Sequence, residues 1–454
     1  MNNDLERDLG LYATVMISMG AMIGSGIFVL PALGLTKAGP AVILAYILAG
    51  LVVLPAALSK AEMATAMPES GGTYLYIDRA MGPLAGTVAG IGAWFSLVFK
   101  SSFALVGLGA YLLLLVPLSG GLVKAVALGL AALIVLLNVV GTEQSGKAQS
   151  IIVTAVVVAL AVYVLNSGFA VDTARFQGFT DKGAGGVVTA AAFVFVSYAG
   201  VTKIASVAEE IEDPDRNLPL GILISMGVMM VMYTLVVAAV VGLNDPELLS
   251  TSGPGGGPSL TPMADGAGQL LGGVGVVVIA VVAILALTSM ANAGVLASSR
   301  FPLAMSRDSL APGGLARVSE RFQTPQNSIL VTGVLLLALI AFVPVVELAK
   351  LASAFQILVF SIVNVALIVF RTSDVDSYQP SFRSPGYPFV QLFGVVGGFG
   401  LLTQMGTIPI LGAAGIIVGG IGWYLVYGRS RTDRDGALGT ILARRRDEEP
   451  VTSD

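Results

Sequence analysis

The 454-residue sequence contains neither cysteine nor histidine. Their absence excludes disulfides, thiolate chemistry, Cys/His zinc sites, His-ligated haem and any Ser-His-Asp triad. Charge is also scarce. Asp, Glu, Lys and Arg make up 11% of the residues, whereas soluble globular chains carry roughly 25%. Hydrophobic residues make up 55% and the mean hydropathy is +0.87. Disorder, which needs low hydrophobicity and high charge, is excluded, and a soluble enzyme is disfavoured. The net charge of −4 does not suggest nucleic acid as a partner.

What is present instead is a series of long uncharged runs. Crossing the hydrocarbon core of a bilayer takes about 20 apolar residues in a helix. Twelve such runs are legible, at 11–36, 40–66, 82–117, 121–141, 147–168, 186–209, 217–243, 268–298, 326–344, 346–370, 387–405 and 407–428. Runs such as Ile151–Leu165 do not alternate, so they read as helices and not as strands of a closed barrel. The expected fold is therefore an all-α integral membrane protein with about twelve transmembrane helices. The first ten residues have no basic region ahead of a short apolar stretch and read as a cytoplasmic N-terminus without a cleaved signal. Placing the N-terminus inside puts seventeen Lys and Arg on the inner side and five on the outer. This asymmetry predicts a multi-pass cell-membrane protein with both termini cytoplasmic. Segment 244–262, rich in Gly, Pro and Ser, reads as a flexible outer loop, and the charged tail 429–454 as disordered.

Two runs are interrupted near their middles. The first contains Gly20, Gly24, Ser25 and Gly26. Each glycine lowers helix stability by about 1 kcal/mol relative to alanine, so the cluster invites unwinding. Unwound backbone at membrane depth must line a cavity or be buried in protein. The N–H groups heading the next half-helix would suit a carboxylate. A small-residue packing face is the alternative reading. The sixth run contains Phe195, Val196, Ser197, Tyr198, Ala199 and Gly200, again a cluster of small residues. Interrupted helices in corresponding positions of two halves point to a transporter binding site. Neither break holds Asp or Glu, which favours a neutral ligand over a cationic one.

Four motifs, in order along the chain, resemble the amino acid–polyamine–organocation (APC) family of secondary transporters. They are Met19–Phe28; Glu62 through Pro68, Gly71 and Gly72 to Tyr76; Ser197–Gly200 running on to Glu209, Glu210, Pro214, Arg216, Asn217 and Pro219; and Ser299–Asp308 with Thr324 and Pro325. The resemblance implies a LeuT-like 5+5 inverted repeat, with repeats at 11–168 and 186–370, an extracellular loop at 169–185 and two added helices within 371–428. It implies secondary active transport of an amino acid by alternating access, through ion-coupled symport or exchange. The substrate carboxylate would meet the backbone amides of Gly24, Ser25 and Gly26. Its ammonium would meet carbonyls at Ile23 and Val196–Ala199, with Tyr198 or Phe195 over the side chain. A polyamine or cationic amino acid exchanger is the alternative. The partners are then a small amino acid and the lipid bilayer. No resident cofactor or metal is implied; Na+ and H+ are the candidate coupling ions.

Lys100 sits within the third run, with no other charge between residues 80 and 123. An intramembrane lysine costs about 3 kcal/mol or more, so it is either a coupling or substrate-site switch or a structural donor to a neighbouring helix. Lys203 reads as structural, and Glu62, Glu209 and Glu210 as gate or packing residues. Some proton-coupled members of the family carry a lysine within span five that faces span one; here that region, Ile151–Leu160, has none, and Lys147 at the start of the span stands about two turns too early. Gly20 with Thr288 and Ser289 of span eight resembles the second sodium site of the fold, and ordinary hydroxyl bonding between helices competes with that reading. An integral-membrane enzyme is disfavoured because no catalytic side chains gather at membrane depth.

Overall fold

The computed structural model describes residues 9–67, 72–116, 122–141, 146–373, 375, 378–432, 434–439 and 441, without the side chains of 146–148, 202 and 205–210. The stretch 68–71 of the second motif and the side chains of Lys147, Glu209 and Glu210 therefore lie outside the described residues.

Helices dominate and no strand occurs among the described residues; a single parallel bridge joins Leu9 to Ile211. The order is α1 (Leu11–Met22), α2 (Ser25–Phe28), α3 (Leu30–Ala38), α4 (Val42–Ala66), α5 (Gly72–Met81), α6 (Pro83–Leu115), α7 (Val123–Val140), α8 (Gly146–Ser167) and α9 (Gly183–Val194). A 3-10 stretch, Phe195–Glu210, continues α9. Then come α10 (Pro214–Leu243), α11 (Pro246–Thr251), α12 (Pro262–Arg307), α13 (Gln326–Phe342), α14 (Val345–Ser373), α15 (Phe389–Thr403) and α16 (Thr407–Trp423). Among the described residues, nine helical segments are long and apolar enough to cross a membrane, and three shorter apolar helices accompany them, α1, α13 and α15.

The first run is not one helix. It is split between α1 and α2 because the backbone turns extended at Ile23 and Gly24, and between α2 and α3 where Val29 leaves helical geometry. The longest helix, α12, bends where Leu271 and Gly272 leave helical geometry. Gly272 adopts φ 57°, a left-handed conformation that costs a residue without Cβ least. The 244–262 segment is more ordered than its composition suggests. Asp245 caps α11 through the Glu247 N–H at 2.9 Å, Leu249 is buried, and Ser259 N–H closes the loop on the Leu249 carbonyl at 2.8 Å.

Packing places the broken segments at the centre. α1 lies against α10, the 3-10 stretch and α8, while α6 runs along α12 and α14. By contrast, α15 and α16 sit outside and present Phe389, Val396, Leu411 and Val418 as exposed apolar side chains. One buried polar knot fixes the loop ahead of α15. Glu62, fully buried at the end of α4, accepts from Arg371 Nε at 2.8 Å and Nη2 at 2.6 Å, and from the Ser384 N–H at 2.7 Å. Tyr378 adds a fourth bond at 3.2 Å. Glu62 is thus a packing anchor, in keeping with the expectation for it.

Candidate functional site

At the end of α1 the Ile23 N–H still reaches the Met19 carbonyl at 2.7 Å, but Gly24 is fully extended. Helix geometry resumes with Ile27 and Phe28, whose N–H groups both return to the Gly24 carbonyl at 3.0 Å. The amides of Ser25 and Gly26 therefore head a new half-turn, where an α-helix leaves its first N–H groups without intrahelical partners. In the sixth run the chain does not snap open. It tightens from α to 3-10 at Phe195. Long 3-10 stretches are uncommon because their hydrogen bonds are poorer, and they mark hinges or strain.

The two interruptions touch. Gly26 lies so close to Ser197 that a Cβ there would stand 2.7 Å from both Ser197 Cβ and Oγ. One turn on, Gly200 is pressed against the Ala21 carbonyl, leaving no space for any side chain. These contacts explain glycine at 26 and 200 by close approach alone. The residues expected at the site, Ile23, Ser25, Phe195, Val196, Ser197, Tyr198 and Ala199, are all buried, and the two runs meet where Gly26 touches Ser197 and Gly200 touches Ala21. Phe195 stacks edge-on against Phe360 at 5.9 Å, and the Val196 N–H donates to Ser353 Oγ at 3.2 Å. Two hydroxyls in this knot, Ser25 Oγ and Ser197 Oγ, have no hydrogen-bond partner although both are buried. Buried polar atoms are otherwise almost always paired, so this pair marks a place able to receive a polar ligand.

Three tyrosines, not identified from sequence, hold the broken backbone. Tyr46 of α4 donates to the Gly26 carbonyl at 2.7 Å, and Tyr111 of α6 to the Phe28 carbonyl at 2.8 Å. Tyr233 of α10 spans both breaks, donating to the Met22 carbonyl at 2.7 Å and standing 3.0 Å from the Ser197 carbonyl. Tyr198 in turn donates to the Tyr46 carbonyl at 3.0 Å and packs edge-on against Tyr233 at 4.9 Å. Met290 of α12 fills the space over Gly24 with its thioether. Tyr46 and Tyr233 are the lone aromatic residues of α4 and α10, and that was the available signal, since a buried phenol requires a partner.

Lys100 is buried, and its Nζ donates to the Ala21 carbonyl at 3.2 Å. It therefore sits at the last turn of α1, where the helix dipole favours a cation. Beside the break, on the face toward α8, lies a small cavity of about 10 Å³, lined by Gly20, Ile23, Ile152, Val153, Val156, Ala286 and Ser289. It has room for about one water-sized occupant. Gly20 and Ser289 of the expected ion group line it, whereas Thr288, one residue round the helix and half-buried, does not. Asn292 is occupied elsewhere, accepting from Asn138 of α7 at 2.7 Å.

Comparison with known proteins gives a consistent picture. The family model described as amino acid permease matches residues 9–423. The branched-chain amino acid permease BcaP of Bacillus subtilis is 29% identical, over 94% of both chains. The methylthioribose transporter of the same organism is 29% identical, over 86% of this chain and 87% of its own. The vacuolar cationic amino acid transporter 4 of Arabidopsis thaliana is 27% identical, over 84% of this chain and 66% of its own.

Proposed function

Because the chain belongs to the amino acid permease family, a family of multi-pass membrane transporters, we propose that it carries a neutral amino acid by alternating access and that the two touching breaks form its substrate site. The single observation behind this reading is the pair of buried, unpartnered hydroxyls, Ser25 Oγ and Ser197 Oγ, set where Gly26 meets Ser197. A zwitterion needs donors at one end and acceptors at the other. The amides of Gly24, Ser25 and Gly26 offer donors; the carbonyls at Ile23 and Val196–Ala199 offer acceptors. Of these acceptors, Ser197 also lies 3.0 Å from the Tyr233 hydroxyl.

The fuller architecture belongs to the same proposal. Twelve spans, an inverted repeat of 11–168 against 186–370 and inner termini place the two breaks at the head of each five-helix group. A neutral substrate fits better than a cationic one because the buried charge bonded to the end of α1 is the ammonium of Lys100, not a carboxylate. For coupling, the cavity at Gly20 and Ser289 is lined chiefly by valine, isoleucine and alanine. Small hard cations need several oxygen ligands, so Lys100 is the stronger candidate, with H+ as the ion.

The test is counterflow in proteoliposomes. Internal unlabelled L-leucine should accelerate entry of labelled L-leucine. An enzyme would alter the label chemically, and a channel would show no stimulation by internal substrate.

A further inference from the structure

The segment after the last span is seated on the protein. Arg434 Nη1 donates to Asp308 Oδ1 at 2.8 Å, and Nη2 to the Asp308 carbonyl at 3.3 Å. The same guanidinium stands 3.7 Å from Asp78 Oδ2. Tyr74 completes the cluster by donating to Asp308 Oδ2 at 2.8 Å. Two residues beyond Arg434, Gly436 lies flat on the backbone of Ala80 and Gly82, so closely that a Cβ there would strike main-chain atoms that cannot give way. Ala437, next in line, is 7% exposed. The expectation of a disordered tail thus fails for residues 434–439, because an arginine and a glycine match the surface beneath them.

That surface is built from two parts of the chain. Asp78 and Tyr74 belong to α5, between α4 and α6, and Asp308 ends α12. It shares a face with the N-terminus. Thr65, one residue from the end of α4, receives the Phe382 N–H, while Ser381 reaches Asp215, which heads α10 beside the Leu9–Ile211 bridge. Asp78 is 3% exposed, and one of its oxygens has no hydrogen-bond partner. Burial pushes its carboxyl above the ordinary carboxylate range, and the nearby Arg434 opposes that shift. Removing the cation shared by the two carboxylates would leave the buried Asp78 with Arg79 alone, at 3.8 Å, and a weakened buried pair is destabilising. Any movement that parts α5 from the end of α12 must break this bridge.

We propose that residues 434–439 form a strap that holds this face of the protein shut by pinning α5 to the end of α12, and that its release lets the face open. The strap acts outside the substrate site. Only its transport readout rests on the carrier reading.

The chain's lack of cysteine makes the test direct. Ala437→Cys reports docking of the strap, and Ser18→Cys, fully buried in α1, reports opening of the face. Both are labelled with N-ethylmaleimide in proteoliposomes of the full chain. Ala437→Cys should react slowly, and about tenfold faster when combined with Arg434→Ala or Gly436→Leu, since local opening sets the rate. Ser18→Cys should react several-fold faster in the same two backgrounds, and L-leucine counterflow should rise with it. Equal reactivity of Ala437→Cys with and without the second substitution would overturn the docking. An unchanged rate at Ser18→Cys after release would overturn the strap's hold on the face. Faster Ser18→Cys labelling without counterflow in any variant would sink the carrier reading and leave the strap standing.

Discussion

The two interrupted helices reach similar ends by different means. In the first, two residues, Ile23 and Gly24, swing to extended backbone and the helix restarts at Ser25. In the second, no residue need leave the helical region; the winding tightens from Phe195 onward. The abrupt break frees whole peptide groups, and tyrosines from three other helices take up their carbonyls. The gradual one brings its glycine into contact with α1. Glycine therefore serves two purposes here: at 24 it lies at the break itself beneath the Met290 thioether, while at 200 it allows one backbone to reach another.

The largest effect should come from closing that contact. Gly200→Ala would put a methyl group inside the Ala21 carbonyl. Overpacking against backbone should cost about 3 kcal/mol, read as a lowered thermal midpoint in detergent together with loss of counterflow. Normal stability in this variant would mean that the two breaks do not touch. Next in size is Tyr233→Phe, which removes one hydroxyl from two carbonyls, at Met22 and Ser197. One phenol proton serves these two carbonyls in turn, and leaving a buried acceptor bare costs about 1–3 kcal/mol. Tyr46→Phe, which bares only the Gly26 carbonyl, should lose less in the same melting experiment. A reversed order would show that the bridge between the breaks is not the principal support.

Lys100→Met should have the smallest effect on stability, because it removes a single bond to Ala21 along with the burial of a charge. Its effect on mechanism is sharper. If the ammonium couples transport to protons, L-leucine counterflow in the variant should lose its dependence on pH. Retention of the full pH response would reduce Lys100 to a structural donor at the end of α1.

Much of this was legible in the sequence, and the reasons differ by residue. Apolar runs and clustered glycines declare themselves locally, so the helical character of the chain and the break at Ile23 and Gly24 could be read directly, whereas the sixth run tightens to 3-10 winding where an interruption was expected. The contact of Gly200 with Ala21 and the reach of Tyr233 across 211 residues to Met22 depend on packing between distant spans, which no local pattern encodes. The same holds for Glu62. Its burial among Arg371, Tyr378 and Ser384 follows from a loop far along the chain. In the tail, charge and small residues normally mean disorder, whereas Arg434 and Gly436 of the described residues fit a surface that exists only once α5 and α12 have met. Thr288 and Ser289 could not be separated by composition, since helical phase alone turns one toward the cavity and the other away.

The central claim is that both breaks grip one amino acid. A density map of the protein with bound L-leucine tests it most directly. The account predicts the carboxylate against the amides of Ser25 and Gly26, with the ammonium among the carbonyls of Ile23 and 196–199. Leucine bound elsewhere, with Ser25 and Ser197 still unpartnered, would contradict it.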